Sequence, residues 1–444
     1  MPEVALGAFG IRADYIAIII LLLVIVSYVT EIIPMAVTAV AGPMLSLWMG
    51  IAPAGTAFGG FSNDATWLVC GMIMVGASLF ETGVAATVGN SVVKKIKNSE
   101  TRLVLLFFPM IMVMSAFLNN TSCTATFMPI IRAIAANSGG NISAKRLLMP
   151  LAICSNCGGM LTLVGSTPPP IINGAMAANG LTPFGFFTFA ICGLPVCVGL
   201  IFFILFIMPT LTNRFWKDEI QAELAAQTSA EVKMEEQKYD KRKMVTASLI
   251  MLTCIVLFVG QTTIFNNYFT LATVGLTGGM ATVALGTMSL NRLFQLMDWN
   301  TFFLLSGSIG FANILVFTRA DQLIANTVAA WVGDASLFVI FATFVILTAV
   351  LTQFMSNTAC AAMMAPIGIF VALGAGMSPY PLMMAIASTA AASFVTPVAN
   401  PSSTMVLTPG NYKFMDYVKV GGAYQVIAIA IIIAVCPIFW PLTL

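Results

Sequence analysis

The stretch Phe117-Leu-Asn-Asn-Thr-Ser-Cys-Thr-Ala-Thr-Phe-Met-Pro-Ile130 returns about 240 residues later as Phe354-Met-Ser-Asn-Thr-Ala-Cys-Ala-Ala-Met-Met-Ala-Pro-Ile367. Each copy breaks a long apolar run with Asn-Thr, continues through small residues, and reaches Pro-Ile nine residues after its Asn-Thr pair begins. Each also has a second polar interruption downstream, Leu163-Val-Gly-Ser-Thr-Pro-Pro-Pro170 in the first copy and Thr396-Pro-Val-Ala-Asn-Pro-Ser-Ser403 in the second, at nearly the same offset. In hydrocarbon an unpaired backbone N–H or C=O costs several kcal/mol, so non-helical backbone at membrane depth persists only where it lines a site or is covered by protein. The matched interruptions read as a repeated unit, a broken hairpin followed by a broken helix, and such pairs in the two halves of a hydrophobic chain point to a transporter binding site.

The composition agrees. With 59% hydrophobic and 8% charged residues and a mean hydropathy of +0.97, the 444 residues fall outside the soluble globular class, in which about 25% of residues are charged. An all-α polytopic membrane protein in a lipid bilayer is expected. A transmembrane barrel would show alternating segments of about ten residues, and the apolar runs here are about twice as long. The net charge of +2 gives no pointer to nucleic acid, and none is expected as a partner. Met-Pro-Glu-Val leads through Arg12 and Asp14 into a full-length apolar span, so no cleaved signal peptide is expected. The nine cysteines lie in or beside apolar segments and read as packing residues. Cys154-Ser-Asn-Cys157 has redox or metal spacing, but there is no histidine and no second such pair, so no cofactor is expected.

Along the chain the apolar runs divide into residues 1–210 and 244–444. Each half reads as five crossings plus a re-entrant hairpin, at about 103–136 and 336–376, and a broken helix, at about 147–175 and 381–405. Residues 211–243 carry 14 of the 36 charged residues, seven of each sign, with Glu219, Glu223, Lys233, Glu236 and Lys238 among them. They read as a partly helical, solvated connector at the water interface. Placing it in the cytoplasm puts both termini outside and Lys94, Lys95, Lys97, Arg102, Arg132, Lys145, Arg146, Arg292, Lys413 and Lys419 inside. Only Arg12 and Arg319 of the nineteen basic residues then fall outside, a positive-inside pattern typical of an inner (plasma) membrane protein. An odd number of crossings per half makes the repeats inverted, with the two hairpin tips meeting near the midplane.

Ionisable groups are almost absent from the spans. Glu81 is the main exception, and its nearness to the following basic stretch reads as an interfacial or packed carboxylate. A central charge would cost about 2.5 to 3.5 kcal/mol on the insertion scale, so an anion must be held by neutral groups. Asn119, Asn120 and Thr121 on one tip, with Ser356, Asn357 and Thr358 on the other, supply amide and hydroxyl donors. The helix after each triplet aims its N-terminus, with free N–H groups and about half a positive charge, at the same place. Carbonyls freed at Gly165-Ser166 and Ala399-Asn400 suit a small hard cation such as sodium. Two near-equivalent half-sites suit a ligand with two anionic ends. A single Asn-Thr pair would read as helix–helix glue; two at matched positions, each with a Pro-rich break downstream, read as a site.

These residues resemble the divalent anion/sodium symporter family of dicarboxylate, citrate and sulfate carriers. The marks are Ser356-Asn357-Thr358, its variant Asn119-Asn120-Thr121, Gly165-Ser166-Thr167-Pro168, and the closing Thr408-Pro-Gly-Asn-Tyr-Lys-Phe-Met-Asp-Tyr417. The resemblance implies a homodimer with a fixed scaffold, a mobile transport domain and an elevator movement. Carried over by position, it implies substrate contacts at Asn120, Thr121, Asn357, Thr358 and Asn400; Ser166, in the first break, is a further candidate contact. It implies one sodium site from Ser115, Asn119, Asn120 and the Gly165 carbonyl, and another from Thr352, Ser356, Asn357 and the Ala399 carbonyl. Three departures stand out: Asn119 replaces the family serine at a sodium-ligand position, which makes that cation site the weaker of the two, while Asn400-Pro-Ser-Ser in place of Thr-Pro-Pro-Asn and Pro170 in place of a polar residue bear on substrate choice.

The expected function is sodium-coupled transport of a small divalent anion, a C4-type dicarboxylate such as succinate, malate or fumarate. The alternatives are a sodium-independent exchanger and a sulfate or tricarboxylate carrier of the same fold. An enzyme would need a nucleophile with its base, a metal cluster or paired carboxylates within the spans, and the sequence offers none there.

Overall fold

The computed structural model describes residue 7 and residues 10–96, 99–227, 239–265, 268–332 and 336–443. Those residues form an all-helical protein. Seven helices are long and apolar enough to cross a membrane: Ala13–Thr30, Asp64–Glu81, Ala190–Phe215, Lys241–Gln261, Trp299–Phe317, Asn357–Gly374 and Phe414–Phe439. Shorter apolar helices, among them Met35–Trp48, Leu271–Ala284 and Leu337–Leu351, complete the bundle. With no hydrophobic drive between helices in lipid, close backbone approach must hold them together. The Asp64–Glu81 and Leu271–Ala284 helices show it: a Cβ on Gly71 would lie 2.1 Å from the carbonyl carbon of Gly275, so glycine alone fits that crossing.

Both triplets sit at the turns of helical hairpins. Glu100–Ser115 leads through residues 116–119 into Asn120–Ala136, and Leu337–Leu351 leads through residues 352–356 into Asn357–Gly374. Downstream, Ala144–Gly159 breaks at residues 160–167 before Pro168–Ala178, and Pro379–Ala391 breaks at residues 392–400 before Pro401–Leu407. Side chains pair part of the backbone at each break. In the first, Thr162 Oγ1 donates to the Ala116 carbonyl and accepts from the N–H groups of Gly165 (3.1 Å) and Val164 (3.3 Å). In the second, Gln353 Oε1 accepts from Val395 N–H (2.9 Å), Gln425 Oε1 accepts from Phe394 N–H (3.1 Å), and Thr396 Oγ1 donates to the Gln353 carbonyl (2.6 Å). These bonds are what allow extended backbone inside an apolar bundle.

The connector differs from the solvated segment that its charge suggests. Residues 211–215 are the end of the Ala190–Phe215 helix, and Lys217–Gln227 forms a further helix, with Trp216 and Ile220 buried. Trp216 Nε1 donates to Asp416 at 2.8 Å, and Glu223 accepts from Ser143 Oγ (2.5 Å) and the N–H groups of Ala144 (2.8 Å) and Lys145 (3.3 Å). An indole and a well-placed carboxylate on this segment outweigh its solubility: Glu223 caps the start of the Ala144–Gly159 helix, where a negative charge is favoured. Lys233, Glu236 and Lys238, like Lys97, lie outside the described residues.

Candidate anion and cation site

The two hairpin tips and the two breaks face one cavity of about 400 Å³. Asn119, Asn120 and Thr121, with Ser356, Asn357 and Thr358, line it from the tips; Gly165 to Pro168 and Ala399 to Pro401 line it from the breaks. Four helix N-termini thus end at one space, and their partial positive charges favour an anion there. The donors are unevenly shared. Pro168, Pro169 and Pro170 open one helix and Pro401 another, so those ends offer field with fewer N–H groups. The N–H donors at these four ends therefore lie mainly on the two tips. Asn119 Oδ1 caps Thr121 (2.9 Å) and Ser122 (3.4 Å), and Ser356 Oγ caps Ala359 (3.2 Å). The first-turn N–H groups of Asn120, Asn357 and Thr358 remain without an intrahelical acceptor.

Beneath each tip lies the same arrangement. Ser115 and Thr352 are fully buried one turn before their triplets, outside the cavity itself. Ser115 Oγ donates to the Ser155 carbonyl at 2.7 Å and lies 2.8 Å from the Asn120 amide. Thr352 Oγ1 donates to the Ala390 carbonyl at 2.7 Å and lies 3.1 Å from Asn357 Oδ1. One atom of the Asn120 amide is 2.8 Å from Ser115 Oγ, 3.0 Å from the Gly165 carbonyl and 3.1 Å from the Ser155 carbonyl. With nitrogen there, the amide donates to these oxygens. With oxygen there, four oxygens converge, an arrangement suited to a small cation. Asn119, whose oxygen is engaged in capping, stands apart from this convergence.

Two bonds join the halves across the cavity. Thr167 and Thr358 share a hydroxyl–hydroxyl bond of 2.6 Å, and Asn400 Nδ2 donates to Asn156 Oδ1 at 2.8 Å while Asn400 Oδ1 caps Ser402. Ser166 Oγ is buried with no protein partner, a free hydroxyl at the edge of the space. The facing wall is Pro34, Met35 and Ala36 with Asp298, Asn300, Thr301 and Leu304. It touches the second tip directly: Glu31 Oε1 accepts from Ser356 N–H at 3.2 Å, and Ser356 Oγ lies 2.8 Å from Met35 Sδ.

The model of the citrate transporter family, CitMHS, matches residues 19–272 and 263–442. The chain belongs to the citrate transporter family. It is 23% identical over 458 residues to a sodium-dependent high-affinity dicarboxylate transporter of Caenorhabditis elegans, covering 90% of this chain and 78% of that one. It is 31% identical over 185 residues to a probable sodium/sulfate cotransporter of Chlamydomonas reinhardtii, covering 39% of this chain and 20% of that one. The crystal structure of the YdaH transporter of Alcanivorax borkumensis superposes with a TM-score of 0.57 at 13% identity, covering 97% and 100% of the two chains, and this likeness concerns the fold. The resemblance to divalent anion/sodium symporters is borne out by these relatives. The chain is a multi-pass membrane transporter rather than an enzyme.

In this citrate transporter family member, sequence reasoning missed Asn156, Thr167 and the Asp298–Thr301 wall. Asn156 was legible as a buried amide in an apolar run, but it lies inside Cys154-Ser-Asn-Cys157, where the cysteines draw the eye. All nine cysteines are reduced and buried. Gly159 is a further constraint: a Cβ there would lie 2.6 Å from the Asn120 amide oxygen and 2.9 Å from the Gly165 carbonyl. Gly159→Ala is expected to raise the cation concentration for half-maximal uptake about tenfold, the cost of displacing one ligand of a converging set. Asn120 and Gly165 also line the cavity, so apparent substrate affinity should weaken together with cation affinity. Sodium titration of uptake checks this.

Proposed function

We propose that this protein is a secondary active carrier of small divalent anions, C4-type dicarboxylates first among them, driven by sodium. One observation carries the reading: two Asn-Thr tips face each other across a cavity built at four helix N-termini and lined without a basic residue. Neutral donors at both ends of a 400 Å³ space suit a dianion with a carboxylate at each end. The oxygens of Ser115, Asn120, Ser155 and Gly165 suit sodium at one end, and Thr352, Asn357 and the carbonyls of Ala390 and Ala399 suit it at the other. The sodium-dependent relatives support the coupling ion. The family resemblance supports inverted repeats, a homodimer and an elevator movement of tips and breaks against the Pro34–Ala36 and Asp298–Leu304 wall. The distribution of basic residues supports a cytoplasmic connector, with both termini outside an inner membrane.

A sodium-independent exchanger is the second reading. It is favoured by Asn119, which replaces the family serine and commits its oxygen to capping. Uptake of labelled succinate into proteoliposomes separates the two. An inward sodium gradient should drive electrogenic uptake, and equimolar potassium should not. Uptake that ignores sodium and requires internal dicarboxylate would establish exchange. Uptake of sulfate or a tricarboxylate in place of succinate would keep the site and change the cargo.

A further inference from the structure

Past Asn119, Thr121 and Thr167 the cavity continues into a vestibule of about 600 Å³, walled by the end of the Asp64–Glu81 helix and by Leu290–Leu296. Among the described residues lining either space, Arg292 is the one basic side chain. Its guanidinium holds Glu81 in a two-point fork, Nε to Oε1 and Nη2 to Oε2, both at 3.1 Å, with Nη1 3.4 Å from Gln295 Oε1. That planar fork is the geometry any carboxylate takes on arginine. The side chains are 45% and 36% exposed, and an ion pair so open to water is weak enough to exchange partners. The remaining charge on the lining is Asp298, whose oxygens accept from Thr301 N–H (3.1 Å) and Thr301 Oγ1 (2.6 Å). With Glu81 in the fork, the vestibule lining therefore carries a net negative charge and does not retain an anion.

We propose that Arg292 is a transfer site for the cargo: a carboxylate of the dianion takes the fork from Glu81 on its way between cavity and water, and Glu81 reclaims it when the anion leaves. This rests on the reading of the cavity as a dicarboxylate site. Glu81 acts as a resident competitor, so the fork guides the anion without holding it. Lysine at 292 would keep the charge but lose the two-point geometry.

The test compares right-side-out and inverted membrane vesicles, with labelled succinate, for wild type, Arg292→Gln, Arg292→Lys and Glu81→Gln, at low and high ionic strength. From the face onto which Arg292 opens, Arg292→Gln should raise KM about fivefold and flatten its salt dependence, the size expected for one exposed charge pair. Arg292→Lys should fall between, and Glu81→Gln should lower KM about threefold by removing the competitor. KM from the opposite face and the sodium dependence should not move. Equal changes from both faces, or none, would overturn the proposal and leave a structural ion pair. Should Arg292→Gln fail to accumulate, Glu81→Gln decides alone, because it keeps the fork: an unchanged or raised KM overturns the proposal. Absence of dicarboxylate uptake by the wild type would instead overturn the cavity reading and this proposal with it.

Discussion

Alanine at Asn120 or at Asn357 is expected to reduce uptake about 100-fold in each single variant, with protein accumulation and the thermal midpoint close to wild type. A hydrogen bond to a charged group contributes about 1.5 to 3 kcal/mol, or roughly 10- to 100-fold in affinity. Each amide also sits on the buried hydroxyl beneath its tip, Ser115 at 2.8 Å and Thr352 at 3.1 Å. Truncation therefore removes a cavity donor and an oxygen of the proposed sodium site together, and losses at coupled sites multiply. The fold is spared because the caps belong to neighbours: Asn119 and Ser356 still close their helix ends. Asn120→Asp distinguishes the chemistry, since it preserves shape and adds a negative charge where an anion must bind; it should be at least as inactive as alanine. Uptake measured beside detergent melting curves checks all three, and wild-type uptake by either alanine variant would remove the proposed site.

The elements of the candidate site were legible because membrane depth makes polar residues and broken helices conspicuous. Asn120-Thr121, Asn357-Thr358 and both breaks announce themselves against an apolar background, and their repetition excludes coincidence. The structure gathers them around one cavity. What the sequence conceals is whatever depends on distant segments meeting. Asn156 matters because Asn400 reaches it from 244 positions away. Gln353 and Gln425 read as stray polar residues until the extended backbone at Phe394 and Val395 is placed against them. Glu81 could be read as interfacial, but its partner Arg292 is 211 positions distant. Ser155 contributes a carbonyl, which no side-chain pattern reveals. The connector's docking was hidden for a related reason: composition reports average solvation, whereas one indole and two carboxylates hold its first part against the bundle.

That docking makes a prediction against the simplest intuition about charge. Lys145 is buried, its Nζ donating to the Asn411 carbonyl at 2.7 Å, paired with Glu219, and 5.5 and 5.4 Å from the ring centroids of Trp216 and Tyr412. Glu219, in contrast, has a side chain 42% exposed. Removing the two partners should therefore not cost the same. Glu219→Ala leaves a buried ammonium without its counter-charge, and breaking a buried pair in this way costs about 3 kcal/mol, the lower end of the range because the carbonyl and the two rings remain. Lys145→Met leaves a carboxylate that returns to water and puts an apolar side chain of similar length among aromatic rings, at about 1 kcal/mol or less. The double variant should melt close to Lys145→Met and well above Glu219→Ala, so the second substitution rescues the first. Transport by the folded fraction should be retained in all three. Lys145 lies eleven residues before Asn156 on one continuous helix, about 16 Å along its axis at 1.5 Å per residue, and no bond of the anion cavity runs through it. Melting midpoints in detergent, with uptake normalised to folded protein, test the order. If Lys145→Met melts far below Glu219→Ala, the ammonium is holding the connector by attraction alone, and the cost of burying it does not set the balance.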